Sequence, residues 1–137
     1  MKKIAFIVFI VGWVYSFTGC VYDKRDVDNP NGCDTTNMSY SKNIAPIISV
    51  NCTSCHSASA AAVGAGGGIG LDSYATLKAD IDSAWLLPAV NWQLNLLPSS
   101  YSATGLPAEN MPQGLPQLGS CNLNKINAWV HQGAKNN

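Results

Sequence analysis

The order of hydrophobic and polar positions divides this chain into three parts. Residues 4–17 are almost entirely apolar and carry no charge, whereas residues 21–39 are polar and rich in turn-forming residues. After residue 40, apolar positions recur at helical spacing in short stretches that glycines and prolines separate. No segment keeps the strict alternation of a strand. The pattern predicts an all-α domain of short helices joined by long loops.

The first and last stretches of the third part are the most helix-like. In the first, Ser41 or Asn43 can cap a helix, and Pro46 would lie near its first turn, where a missing N–H costs little. The last stretch has Asn122 as a plausible cap. Its apolar residues recur on one helical face and are Leu123, Ile126, Trp129 and Val130.

Between these two helices the chain is interrupted repeatedly. Residues 64–70 contain five glycines and predict a loop that is flexible or packs its backbone closely against a flat group. Asp72 or Ser73 can cap a short helix, and residues 83–93 suggest another. Residues 98–118 hold four prolines and predict a long irregular loop, a feature that often serves a functional site.

The N-terminus has the features of an export signal. Lys2 and Lys3 precede the apolar run, which is shorter than the ~20 residues that span a bilayer as a helix. The sequence "FTGC" resembles the lipobox of bacterial lipoproteins. That resemblance implies removal of residues 1–19 and lipidation of Cys20. An ordinary secretory signal and a retained membrane helix are the alternatives.

The low charge content and the expected export restrict the possible functions of the protein. Charged residues make up 12% of the 137 residues and the net charge is zero, so nucleic acid is not an implied partner. Removal of Lys2 and Lys3 leaves six basic against eight acidic residues, a net charge of about −2. Export would place the cysteines in an oxidising compartment. Glu109 is the only glutamate, and no catalytic acid–base pair or Ser/His/Asp set can be assembled, so we expect no enzyme.

Two cysteines and a histidine stand together in "VNCTSCHSAS", as Cys52, Cys55 and His56. A thioredoxin-type dithiol needs a surrounding βαβ pattern, which is absent. A zinc site needs four ligands, and no second closely spaced pair exists. A c-type haem needs only this motif. Thiols one helical turn apart can reach two vinyl groups on one porphyrin edge, and the histidine can then reach the iron. A chance cluster is the remaining alternative.

The chain resembles a single-haem c-type cytochrome domain of the kind found on bacterial lipoproteins. The resemblance covers about residues 38–137. It is carried by "YSKNIAPIISVNCTSCH", "LDSYATL", "MPQGLPQLG" and "INAWVHQGAKNN". It implies a cytochrome c-like fold with three to five short helices around one covalently bound haem. By this similarity Cys52 and Cys55 carry the haem, and His56 is the proximal iron ligand.

Three side chains remain as candidates for the opposite iron ligand: Met38, Met111 and His131. The family pattern places its methionine in a Met-Pro loop before the last helix, which Met111-Pro112 matches. Met111 is therefore the expected distal ligand, Met38 a tether or surface residue, and His131 a polar-face or helix-end residue. Because the first and last helices cross in cytochrome c folds, the resemblance also implies a disulfide between the two remaining cysteines, Cys33 and Cys121.

The resemblance implies electron transfer by a membrane-anchored protein with His/Met-ligated haem. Its organisation would be a signal peptide (1–19), a lipidated tether (20–37) and a cytochrome domain (38–137), held at a bacterial membrane in the periplasm or at the cell surface. Its partners would be redox proteins or a respiratory complex, with no small-molecule substrate. The alternative is a haem subunit, sensor or enzyme with a labile sixth ligand in a larger membrane respiratory assembly.

Overall fold

The structure is a computed structural model that describes residues 32–137, and within them it is helical with no strand. This confirms the all-α prediction for the described part of the chain. A π-helical turn, Tyr40–Ile44, leads into the first α-helix, and single 3₁₀ turns lie at Ala65–Gly68 and Leu94–Leu96. The α-helices are α1 (Ala45–Asn51), α2 (Thr53–His56), α3 (Ala58–Ala62), α4 (Tyr74–Asp82), α5 (Leu86–Val90), α6 (Ser99–Ser102) and α7 (Ser120–His131).

The seven α-helices described between residues 32 and 137 exceed the three to five predicted. The difference arises because single helical turns interrupt what the sequence suggests are loops or longer helices. At Cys52, φ is −121°, which separates α1 from α2, and Ser57 is extended at ψ 161°, which separates α2 from α3. Helical turns of this length depend on tertiary packing, since isolated short helices are marginal in water.

Helix starts were predicted with mixed success. Ser73 caps α4 by accepting a hydrogen bond from the backbone N–H of Thr76, as predicted. The first helical segment is capped by Ser39, whose hydroxyl accepts from the Lys42 N–H, so the prediction of Ser41 or Asn43 was wrong. The final helix begins at Ser120 and not after Asn122. In both cases a residue upstream of the expected cap already has the geometry that starts the helix.

The core joins the first helical segment to the last. Trp129 is completely buried on α7, and its ring centroid lies 5.8 Å from that of Tyr40 and 6.4 Å from that of Tyr74. Its indole N–H donates to the Lys135 carbonyl, so no polar atom of this side chain is stranded. Burial of a large apolar side chain stabilises a fold by about 1.5–3 kcal/mol. The other fully buried residues are Ile44 at the end of the π-helical turn, Leu77 on α4 and Ile126 on α7.

Residues just before the first helix pack against α7. The Cα atoms of Cys33 and Cys121 are 5.5 Å apart and their sulfurs are bonded, which places the expected cysteine pair at disulfide distance. The Met38 N–H donates to the Gln132 side chain, and Met38 is only 5% exposed. The expectation that Met38 is a tether or surface residue was wrong, because its side chain belongs to the core.

The predicted signal peptide and the lipidated Cys20 lie outside the described residues. Within residues 32–137, no helix is both long enough and apolar enough to cross a membrane.

Breaking the Cys33–Cys121 link should lower the stability of the domain. It closes a loop with a sequence separation of 88 residues, for which the chain-entropy treatment gives about 4–5 kcal/mol. We expect the Cys33→Ser/Cys121→Ser double variant to lose stability of this order in urea unfolding. Wild-type protein treated with a thiol reductant should match it. Equal stability of the variant and the oxidised wild type would contradict the pairing.

Candidate functional site

A cleft lies between the segment that carries the Cys-x-x-Cys-His motif and the loops that follow α5. It consists of two adjoining cavities with about 650 and 920 Å³ of empty space, part of it open to solvent. Cys52, His56 and Met111 line both cavities. Most of the remaining lining of the first cavity is apolar, including Leu71, Leu86, Val90 and Leu118.

The two motif cysteines occupy one helical turn. The backbone N–H groups of Cys55 and His56 both donate to the Cys52 carbonyl, at 3.2 and 2.9 Å. Cys52 is half-buried, and burial raises the pKa of its thiol to about 11, while Cys55 is exposed. Reactive dithiols lower the pKa of their nucleophilic cysteine. The site therefore presents two free thiols, and the raised pKa of Cys52 is the opposite of what activates the nucleophile of a redox dithiol.

The His56 ring is held by one nitrogen. Its Nδ1 lies 3.0 Å from the Ile69 carbonyl oxygen. A carbonyl can only accept, so Nδ1 carries the proton and donates. In the neutral ring this leaves the Nε2 lone pair free to bind a metal, an arrangement common among metal-ligating histidines. The His56 carbonyl in turn accepts from the Leu71 N–H at 2.6 Å, which fixes residues 69–71 beside the motif.

The glycine loop packs directly on this histidine. Gly66 has φ +56°, and a Cβ atom there would lie 2.6 Å from His56 Nδ1 and 2.7 Å from the Cys55 carbonyl oxygen. Only glycine allows this approach without displacing the imidazole. The flat group expected against this loop is thus the His56 ring. Gly67 reaches across the cleft, where an added Cβ would lie 3.0 Å from the Leu106 side chain.

The opposite wall is fixed by hydrogen bonds to the backbone of Met111. The Met111 N–H donates to the Ala89 carbonyl at 3.1 Å, and the Trp92 indole N–H donates to the Met111 carbonyl at 3.0 Å. The side chain is half-buried and packs against the core. The Met111–Pro112 peptide bond is cis. Helix α5 and Trp92 thus hold the loop so that Met111 lines the cleft together with His56.

Two unusual polar groups line the first cavity. The Trp85 indole N–H is buried and has no hydrogen-bond partner among the described residues. Its ring packs edge-on against Tyr101 with centroids 5.3 Å apart. Asp80 is only 9% exposed, and burial raises the pKa of its carboxyl to about 6. An unpaired buried donor is costly, so the Trp85 N–H is suited to an acceptor on a molecule bound in the cavity.

The structure brings Cys52, Cys55, His56 and Met111 to one cleft although 55 residues separate His56 from Met111. The disulfide pair lies elsewhere, at the start of α7. His131 does not line the cleft. It is exposed at the end of α7, and its Nδ1 lies 2.6 Å from the Asn127 carbonyl oxygen.

Sequence reasoning missed several residues of the site. Glu109 is half-buried and lines both cavities. The burial of Asp80 was also missed, although a signal existed. It lies three residues after Leu77 and six after Tyr74, on the same face of α4 as these core residues. The Ile69 carbonyl has no sequence signature, because any residue supplies one.

The candidate ligands in the cleft can be compared with those that a zinc ion or a haem iron requires. Within residues 32–137, no three His, Cys, Asp or Glu side chains are grouped closely enough to hold a metal ion, whereas a zinc site takes four ligands. A haem iron takes only two protein ligands and needs a flat apolar cavity instead. The free Nε2 of His56, a methionine on the same cleft and an unpaired indole N–H fit that group.

Comparison with protein-family models, with curated proteins and with solved structures found no match to this chain.

Replacing Gly66 should disturb the site more than replacing Gly64. Both have positive φ, so alanine at either position costs about 1–2 kcal/mol in backbone strain. A Cβ at Gly64 meets nothing within 4 Å, whereas one at Gly66 collides with His56. We expect Gly66→Ala to lose a further 1–3 kcal/mol or so in urea unfolding and to shift the His56 ring NMR signals. Equal effects of the two substitutions would contradict this packing.

Proposed function

We propose that this protein is an exported, lipid-anchored electron carrier that holds one c-type haem in the cleft between α2 and the Met111 loop. Cys52 and Cys55 hold the haem covalently, and His56 and Met111 bind its iron. The protein passes single electrons between redox partners at a membrane surface and catalyses no reaction on a small molecule. No family match supports this proposal, which is argued from the motif and the cleft.

The observation that carries the proposal is the shared lining of the cleft. From three candidates, the sequence indicated Met111 as the partner of His56, and the Met-Pro loop of the family pattern agreed with that choice. In the folded chain both side chains line the same two cavities, with Cys52 beside them and Cys55 at the wider one. Two motifs distant in sequence therefore meet at one cleft.

The chain's own groups suit the attachment. Each thiol would add its S–H across one vinyl double bond, forming a thioether without loss of atoms. Cys52 and Cys55 lie on one turn, as the two bonds to a single porphyrin edge require. His56 presents Nε2, because Nδ1 is engaged by Ile69. The Trp85 N–H offers a hydrogen bond to an acceptor on the bound group.

A haem bound here would supply reversible one-electron chemistry. The thioether of Met111 favours a higher reduction potential than a second histidine would. The largely apolar lining, which includes Leu71, Leu86 and Val90, would give the porphyrin apolar contacts. If His56 and Met111 both held the iron, no position would remain there for a substrate, which favours an electron carrier over a haem enzyme.

The arrangement of the helices supports a cytochrome c-like fold. The first helical segment and the last one are in contact through Tyr40 and Trp129, and the Ser41 N–H donates to the Asn137 carbonyl at 3.0 Å. Such a contact between terminal helices is what the resemblance implies. The motif follows the first of these helices directly, and the Met111 loop precedes the last.

Removing either motif thiol should reduce covalent haem. We expect Cys52→Ala and Cys55→Ala to abolish or weaken the haem stain after denaturing electrophoresis, because each thioether depends on one thiol. The Cys33→Ser/Cys121→Ser variant is the matched control and should keep its stain, since that pair lies outside the cleft. Unchanged staining of both alanine variants would refute the haem attachment.

Met111 should determine the sixth coordination position. The ferric wild-type protein should show the far-red charge-transfer band of methionine ligation, and Met111→Ala should lose it. Met38→Ala is the control, because Met38 lies in the core and not at the cleft. A wild-type protein without the band, which instead binds cyanide at low concentration, would favour the haem enzyme or sensor with a labile ligand.

A further inference from the structure

Asp80 is the one charged side chain among residues 32–137 that is buried. It lies on α4 and lines the first cavity, together with His56 and Met111. Its carboxylate receives no hydrogen bond from another described residue, and none joins it to either expected iron ligand. A carboxylate in such surroundings is poorly solvated, so its charge state depends strongly on any other charge placed in the cavity.

No cationic side chain among the described residues pairs with Asp80. On its own helix, Lys78 pairs with the exposed carboxylate of Asp82. Helix α5 packs against α4 and carries no ionisable side chain. Tyr101 and Glu109 also line the cavity, and burial, followed by the negative charges of Asp80 and Glu109, raises the pKa of Tyr101. No lysine or arginine among the described residues lines either cavity.

We propose that Asp80 is a redox-linked proton-binding residue, which takes up a proton when the haem iron in this cavity is reduced and releases it when the iron is oxidised. This inference rests on the proposed function. A donor protein supplies one electron, which converts ferric to ferrous iron, and water supplies the proton that binds the Asp80 carboxylate. When the electron passes to an acceptor protein, the proton returns to water.

The coupling follows from the charge of the site. The ferric site carries one more positive charge than the ferrous site, and that charge favours the ionised carboxylate. Because no lysine or arginine lines the cavity, this difference is not compensated by the described side chains. Burial raises the pKa of Asp80 to about 6, so the exchange falls within an accessible pH range. The reduction potential should therefore fall as pH rises through this region.

The test is a spectroelectrochemical titration of the full-length, haem-loaded protein in detergent between pH 4.5 and 8.5. In the wild type we expect the proton affinity of Asp80 to differ at least threefold between the ferric and the ferrous protein. A threefold difference corresponds to a fall of about 28 mV in the reduction potential across this pH range. Asp80→Asn should lose this component. Asp82→Asn is the matched control, because Asp82 is exposed on the same helix, and it should keep the wild-type slope. The haem's own carboxylates can also make the reduction potential depend on pH. That contribution should be the same in the wild type and in both variants.

A second readout does not need the variant to fold. In the wild type labelled with ¹³C at aspartate side chains, the reduced-minus-oxidised infrared spectrum should show a protonated carboxyl band that shifts with the label. A haem-loaded protein without this band, or with equal pH slopes in wild type and Asp80→Asn, would overturn the role of Asp80 alone. Absence of covalent haem by staining would overturn the proposed function and this inference together.

Discussion

The hydrogen bond between His56 Nδ1 and the Ile69 carbonyl is the interaction on which the geometry of the site depends. It fixes the tautomer of the imidazole, orients the ring and draws the glycine loop onto the motif. The Leu71 N–H returns a hydrogen bond to the His56 carbonyl, so the two segments hold each other. Gly66 makes this closeness possible, because a side chain there would occupy the space of the ring.

The second wall of the cleft depends on a different set of contacts. Helix α5 and Trp92 fix the Met111 backbone through its N–H and its carbonyl. The half-buried Met111 side chain lines the cleft and also packs against the core. A cofactor placed between the walls would thus meet groups already oriented, which reduces the conformational freedom lost on binding. Among the described residues, the Trp85 N–H is buried at this cavity without a hydrogen-bond partner, and the Asp80 carboxyl also lines it.

The helical class and the residues brought together at the cleft were easier to predict from the sequence than the groups that hold those residues in place. Cys52, Cys55 and His56 were visible because side-chain chemistry at fixed spacing leaves a pattern. The groups that hold these side chains in place are backbone groups or residues distant in sequence, such as the Ile69 carbonyl. Such groups leave no recognisable pattern in the sequence. Met38 was misplaced for a related reason, since only the packed α7 shows that this residue is covered. The helix count was underestimated because single turns are stabilised by tertiary contacts rather than by local propensity.

The most direct test of the central claim is a redox titration monitored by absorption, on protein produced in a host that attaches c-type haem. The account predicts one reversible one-electron transition and a low-spin, six-coordinate spectrum in both oxidation states, insensitive to low concentrations of cyanide. Protein that carries no haem absorbance, or a high-spin ferric spectrum that shifts with cyanide, would contradict it.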